Sequence, residues 1–146
     1  MNESVQQALE FGKVRQILAR YAVTSMGKRK ARELTPGGSA AALRQSQQET
    51  SEMARAFQEG YSLPLGSIED VSEHAERAAA GGGPLEPAVL WKVAQCLHTA
   101  ERVSKSLRRV GRDYPALAAL AHTLPLAPEL IGRIAVSYTH LTLPTN

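Results

Sequence analysis

The chain has 146 residues, 43% hydrophobic, 5% aromatic and 21% charged, with a formal net charge of +3. It is long enough for one domain with a core, and its small positive balance identifies no partner by itself. The N-terminal Met1-Asn2-Glu3-Ser4 lacks a basic region followed by an apolar stretch, and nowhere do eighteen apolar residues run together, which leaves secretion and membrane spanning without support. Cys96 is the single cysteine, so an internal disulfide is excluded and a reducing cytosol is expected.

Alanine, leucine and glutamine dominate over β-branched and aromatic residues, a mixture that favours an all-α fold of six to seven helices. The first helix is predicted from Ser4 or shortly after to about Ala22, because Val14, Ile17, Leu18 and Tyr21 fall at i, i+3, i+4 and i+7. Thr24 or Ser25 caps a second helix reaching about Leu34, and Thr35-Pro36-Gly37-Gly38 ends it. Ser39 caps a third helix that runs to Gln58 or Glu59, with Gly60 as a left-handed stop. Its apolar stripe, Leu43, Met53 and Phe57, is thin, and such a helix needs a partner surface. Tyr61 to Ile68 reads as an apolar loop lying on the core.

Asp70 and Glu73 have capping-box spacing before a short fourth helix, which Gly81-Gly82-Gly83-Pro84 breaks. A fifth helix is predicted from about Pro87 to Val110, with Leu90, Val93, Leu97, Ala100, Ser104 and Leu107 as a heptad seam. Asp113 offers a cap for a sixth helix, which Pro115 opens and Leu124-Pro125 closes, and a seventh begins near Pro128.

After Ala135 the composition changes to Val136-Ser137-Tyr138-Thr139-His140-Leu141-Thr142-Leu143-Pro144-Thr145-Asn146, rich in threonine and β-branched residues. This run resembles the translation of a transposon-derived sequencing adaptor. Residues 1–135 are therefore expected to form a helical core domain and residues 136–146 an irregular, foreign tail, with the gene continuing beyond Ala135.

Chemistry-bearing motifs are sparse. Gly81-Gly82-Gly83-Pro84 lacks the lysine and preceding strand of a phosphate loop, and His74, His98, His122 and His140 have no metal-ligand spacing. Glu69, Asp70, Glu73 and Glu76 are read as capping and surface groups rather than as a catalytic set. Cys96 and His98 do not share a helix face, as a nucleophile and base would. No catalytic, cofactor or metal position is expected. Two basic clusters remain as candidate phosphate contacts: Lys28, Arg29, Lys30 and Arg32 on the second helix, and Arg108, Arg109 and Arg112 at the end of the fifth. The competing reading of each is a solvated face that complements a helix C-terminus. Without interleaved aromatics, any nucleic-acid contact would be backbone-directed and salt-sensitive.

The order of several short motifs carries a resemblance. Leu9-Glu10-Phe11 with Val14 and Leu18, Tyr21-Ala22-Val23-Thr24-Ser25 with Gly27, and Leu34-Thr35-Pro36 come first. Leu63-Pro64-Leu65-Gly66 with Ile68 and Asp70, the glycine turn before Leu85 and Pro87, and Tyr114-Pro115 with Leu117, Leu120, Leu124 and Leu130 follow. Together they resemble the N-terminal region of the bacterial second-type MutS proteins, the Smr-domain-bearing paralogues also called endonuclease MutS-two. The likeness runs from Leu9 to Ala135, and Glu86 departs from it where the family more often has a small polar cap. The resemblance implies a helical core and lever region that continues into a dimerising ATPase using ATP and Mg, and then into an Smr nuclease. It also implies cytoplasmic work on branched DNA, in suppressing recombination, or on collided ribosomes. None of those ATP-binding or nuclease motifs lies in these residues. Three readings stay open: a mechanical scaffold whose partner is the rest of its own chain, a module touching DNA or RNA phosphates, and a free-standing helical adaptor.

Overall fold

Local signals in the sequence start and stop most of the helices, and tertiary contacts decide which faces are buried. The computed structural model describes residues 9–66 and 68–142, and among them there are seven helices and no strand. The helices are α1 (Phe11–Tyr21), α2 (Ser25–Arg32), α3 (Ala40–Gln58), α4 (Ser72–Ala79), α5 (Pro87–Arg109), α6 (Pro115–Thr123) and α7 (Pro128–Thr142). The chain divides into two compact units, Met1–Arg44 and Gln45–Asn146.

In the first unit α1 packs against α2. The start of α1 corrects the expected boundary. Leu9 and Glu10 form a turn, and Glu10 has a left-handed φ of 50°, so no continuous helix enters α1 through it; Ser4 itself lies outside the described residues. The predicted stripe is also not a buried one. Val14, Ile17, Leu18 and Tyr21 are between 45% and 81% exposed, and Ala19 is what α1 buries, as Ala31 is for α2. A period of 3.6 orients apolar side chains to one side, but only an opposing surface buries them. Thr24 caps α2 as expected, its Oγ1 accepting from the Gly27 N–H at 3.0 Å.

The second unit is built around α5, which packs against α6 and α7. Its core joins Ala56 of α3, Val103 and Leu107 of α5, Tyr114, and Leu117 and Ala121 of α6. Tyr61, Leu63 and Leu65 close over it, as the apolar loop predicts, and the Tyr61 hydroxyl donates to Ser106 Oγ at 2.9 Å. The α5 seam is buried mainly in its second half. Ser104 and Leu107 are fully covered, with Val103 beside them, whereas Leu90, Val93, Leu97 and Ala100 are half-buried. Buried Ser104 donates to the Ala121 carbonyl at 3.0 Å, which lets a hydroxyl sit in the seam without an unpaired polar atom.

Helix ends follow their chemistry with two exceptions. Ser39 Oγ accepts from the Ala42 N–H at 3.2 Å at the start of α3. At its end Gly60 has φ 87°, with the Tyr61 N–H donating to the Ala56 carbonyl at 2.9 Å and Gly60 N–H to Phe57 at 3.1 Å, the paired bonds of a Schellman stop. The expected Asp70/Glu73 capping box does not form, because α4 begins at Ser72 with Val71 as its cap residue. Asp70 Oδ1 instead accepts from the Ser72 N–H at 3.1 Å. Asp113 does not cap α6 either. The residue at that position is Tyr114, and the carboxylate that meets the α6 N–H groups is Glu52 of α3, accepting from Ala116 at 2.8 Å and Leu117 at 3.1 Å.

The irregular tail is a further correction. α7 continues without a break past Ala135 to Thr142, and the Tyr138 ring stacks on Trp91 of α5 with centroids 4.9 Å apart. Contact with α5 supplies order that the β-branched composition does not. Residues 143–146 lie outside the described residues.

Candidate functional site

The basic cluster of α2 does not act as one surface. Successive residues of an α-helix are rotated by about 100°, so positions four apart share a face and positions two apart point nearly away from each other. Lys28 and Arg32 accordingly lie on one side, where they meet Gln16 and Arg20, themselves four apart on α1. These four and the buried Ala19 line a shallow concavity of about 460 Å³. Lys30 lies on the other side and borders a different groove of about 410 Å³, with Leu18, Tyr21, Gly27, Ala31 and Leu34 among its walls. Arg29 borders neither.

Arg20, Lys28 and Arg32 are all exposed, and no carboxylate among the described residues pairs with them. The concavity therefore holds three uncompensated cations and one neutral amide that can donate. Clustering along the sequence does not join Arg20 and Gln16 to Lys28 and Arg32, because they belong to another helix. Their four-residue spacing on α1, opposite the Lys28/Arg32 pair, was the available signal.

The second cluster has a different setting. Arg108 and Arg109 occupy the last turn of α5, and Arg112 the turn that follows; all three are exposed. There they oppose the negative end of the helix dipole. The turn is tight: a Cβ on Gly111 would fall 2.7 Å from the Ala118 Cβ, so only glycine lets α6 come this close.

The remaining reactive groups are tied to structural partners or lack a reactive neighbour. Glu69 pairs with Lys92 at 2.5 Å. Burial, and secondarily the Asp70 charge, push the Cys96 thiol above its ordinary value, which opposes thiolate formation. His98 is exposed and 4.0 Å from Glu101. No group of three His, Cys, Asp or Glu side chains among the described residues could hold a metal ion. No helix among them is long and apolar enough to cross a membrane.

Comparison with known sequences gives these helices a context. A protein of Symbiobacterium thermophilum named endonuclease MutS2 is 33% identical over 124 residues, covering 85% of this chain and 15% of the relative. Its namesake in Shouchella clausii is 35% identical over 131 residues, 86% of this chain and 16% of that protein. That of Listeria welshimeri is 29% identical over 140 residues, 94% and 18% respectively. The chain belongs to the MutS2 family. It spans about 15–18% of the length of these MutS2 relatives. No family model matches, and no solved structure does.

The motifs that resemble MutS2 proteins have structural work in this chain. Leu63 and Leu65 cover the core, and Tyr114-Pro115 opens α6 with the proline in its first turn. Glu86, where the MutS2 pattern departs, precedes Pro87 as the α5 cap residue and makes no side-chain capping bond. These MutS2-like positions thus set helix boundaries and core contacts.

Proposed function

We propose that this chain is a helical scaffold segment of a MutS2-type protein, linking the nucleotide state of an ATPase module elsewhere in such a protein to its grip on nucleic acid. The observation that carries this reading is the extended correspondence with proteins named endonuclease MutS2. The architecture supports it: α5, 23 residues long and locked along its second half, is about 35 Å of stiff rod. A packed helix of this kind transmits displacement as a rigid element.

In this proposal residues 1–135 carry the scaffold and residues 136–146 are an appended run. The scaffold's partner is the remainder of the protein, and the exposed side of α1 is one surface for it to cover. The whole protein is a cytoplasmic homodimer that hydrolyses ATP with Mg and cleaves nucleic acid, acting on branched DNA or on collided ribosomes. This segment itself supplies no catalytic group. The test is a chimera in which residues 9–135 replace the matching segment of the complete Symbiobacterium thermophilum protein. It is expected to retain ATP-dependent binding of branched DNA or ribosomes, and to lose it when Leu107→Asp unlocks α5. A folded chimera without nucleotide-dependent binding, or one indifferent to Leu107→Asp, would refute the scaffold role.

A further inference from the structure

We propose that Gln16 and Arg20 of α1 with Lys28 and Arg32 of α2 form a single cradle for a backbone phosphodiester of a nucleic acid. This rests on the reading of the chain as part of a nucleic-acid-associated protein, and it redraws the candidate contact surface. Arg20 and Gln16 enter it, and Lys30 leaves it.

A basic stretch that merely complements the α2 dipole needs nothing from α1, yet Arg20 of α1 shares a concavity with Lys28 and Arg32. Three like charges gathered in one hollow repel one another, and no carboxylate among the described residues offsets them. An anion entering the hollow relieves that repulsion. Chemistry selects the class of anion. Arginine presents a planar fork of donors that matches two phosphate oxygens, and lysine adds a point charge. Gln16 supplies a neutral donor, and no acidic side chain among the described residues lines the hollow to reject a phosphate.

Shape narrows the source. The hollow is shallow and Ala19 is the one apolar residue that lines it among the described residues, which offer no aromatic or enclosed apolar wall for the base of a free nucleotide. A phosphate held within a polymer needs no such wall, because neighbouring nucleotides remain in solvent. Contacts of this kind position a strand and carry no sequence information. Lys30, on the opposite side of α2 beside Leu18, Tyr21 and Leu34, cannot join them.

The test measures binding of the 146-residue chain to a fluorescein-labelled DNA duplex by anisotropy across a series of salt concentrations. Arg20→Gln/Lys28→Gln/Arg32→Gln together should weaken binding by about tenfold or more and reduce the slope of log K against log salt by at least about one unit. Lys30→Gln should leave the slope unchanged. Gln16→Ala should weaken binding at constant slope, since it removes a donor and no charge. Circular dichroism checks folding. If the triple variant loses helix, the single Lys28→Gln carries the test, with a loss of slope expected. An unchanged slope in the folded triple variant, or an equal loss in Lys30→Gln, overturns the cradle while leaving the scaffold reading intact. Two further arms identify the source of phosphate. Inorganic phosphate should displace the duplex more than chloride does at equal ionic strength, and equal displacement reduces the site to diffuse attraction. Vesicles of phosphatidylglycerol and phosphatidylcholine that bind the wild type as tightly as DNA, and not the triple variant, would overturn the nucleic-acid assignment.

Discussion

Replacing Glu52 tests the least expected contact in the second unit. Its side chain is buried at 3% exposure, and Oε2 accepts from the N–H groups of Ala116 and Leu117 at 2.8 and 3.1 Å, while Oε1 accepts from Gln48 Nε2 at 3.1 Å. Hydrogen bonds to a charged group contribute about 1.5–3 kcal/mol each, and a buried donor left unpaired costs about 1–3 kcal/mol. A carboxylate at a partly buried helix N-terminus adds up to about 2 kcal/mol. These contributions overlap, so Glu52→Ala is expected to destabilise the unit by about 3–5 kcal/mol. Glu52→Gln keeps an oxygen facing the two N–H groups and loses the charge and the acceptor for Gln48 Nε2, for about 1–2 kcal/mol. Urea unfolding followed by far-ultraviolet circular dichroism measures both. With a denaturant slope of about 1.5 kcal/mol per molar, the midpoint should fall by about 2–3 M in the alanine variant and by about 1 M in the glutamine variant. If the alanine variant has no folded baseline, the glutamine variant still reads the charge. Exposed Glu76→Ala should stay within about 0.5 kcal/mol of wild type. Glu52 variants that unfold with Glu76→Ala would refute the cross-helix cap.

Two other positions give separate tests. Gly111→Ala forces a Cβ to within 2.7 Å of Ala118 and 3.2 Å of the Arg108 carbonyl, so a loss of about 1–3 kcal/mol is expected in the same urea assay. Gly111→Ala/Ala118→Gly should recover part of it, and no recovery would place the strain elsewhere. The Tyr114 hydroxyl donates to Glu59 Oε2 at 2.6 Å, which together with burial raises its pKa above the ordinary 10.0. A pKa raised on folding means the phenol stabilises the fold fully below the unfolded value and loses that contribution as pH climbs through the folded one. Melting temperature should therefore fall more steeply above about pH 10 in wild type than in Tyr114→Phe; parallel profiles would contradict the bond's role.

Much of the helical frame is legible in the sequence because its signals are local. Pro87, the Gly60 stop, the Thr24 cap and the glycine turn each act within a few residues of where they stand. What is not legible depends on distance along the chain. Glu52 meets its partners 64 and 65 residues away, and nothing near it in sequence distinguishes it from Glu49 on the same helix. The α1 stripe has the correct period, yet its burial requires an opposing surface that α2, only eight residues long, does not provide. In the basic cluster the residue types were evident, whereas the separation of Lys30 from Lys28 and Arg32 and the arrival of Arg20 follow from helix rotation and from α1–α2 packing. The run after Ala135 has an unhelical composition and is nonetheless helical to Thr142, with Tyr138 stacked on Trp91.

The thin apolar stripe of α3 has its explanation in how that helix is held. Phe57 is 52% exposed, so it contributes little to a seam, and polar contacts join the buried Ala56 in tying α3 to the start of α6. Glu52, Arg55 and Glu59 stand at i, i+3 and i+7 on one face. Glu52 caps α6, the Arg55 guanidinium lies 5.4 Å from the Tyr114 ring centre, and Glu59 takes the Tyr114 hydroxyl. An apolar stripe of alanines and leucines can slide by a turn and still bury similar area. Two unpaired N–H groups exist only at the first turn of α6, so a buried carboxylate that needs them permits one register. Polar contacts of this sort add modest net stability and considerable specificity. In a rod-and-corner assembly whose proposed role is to carry displacement, a fixed register between α3 and α6 matters more than a deeper core, because a helix that slips cannot transmit a push.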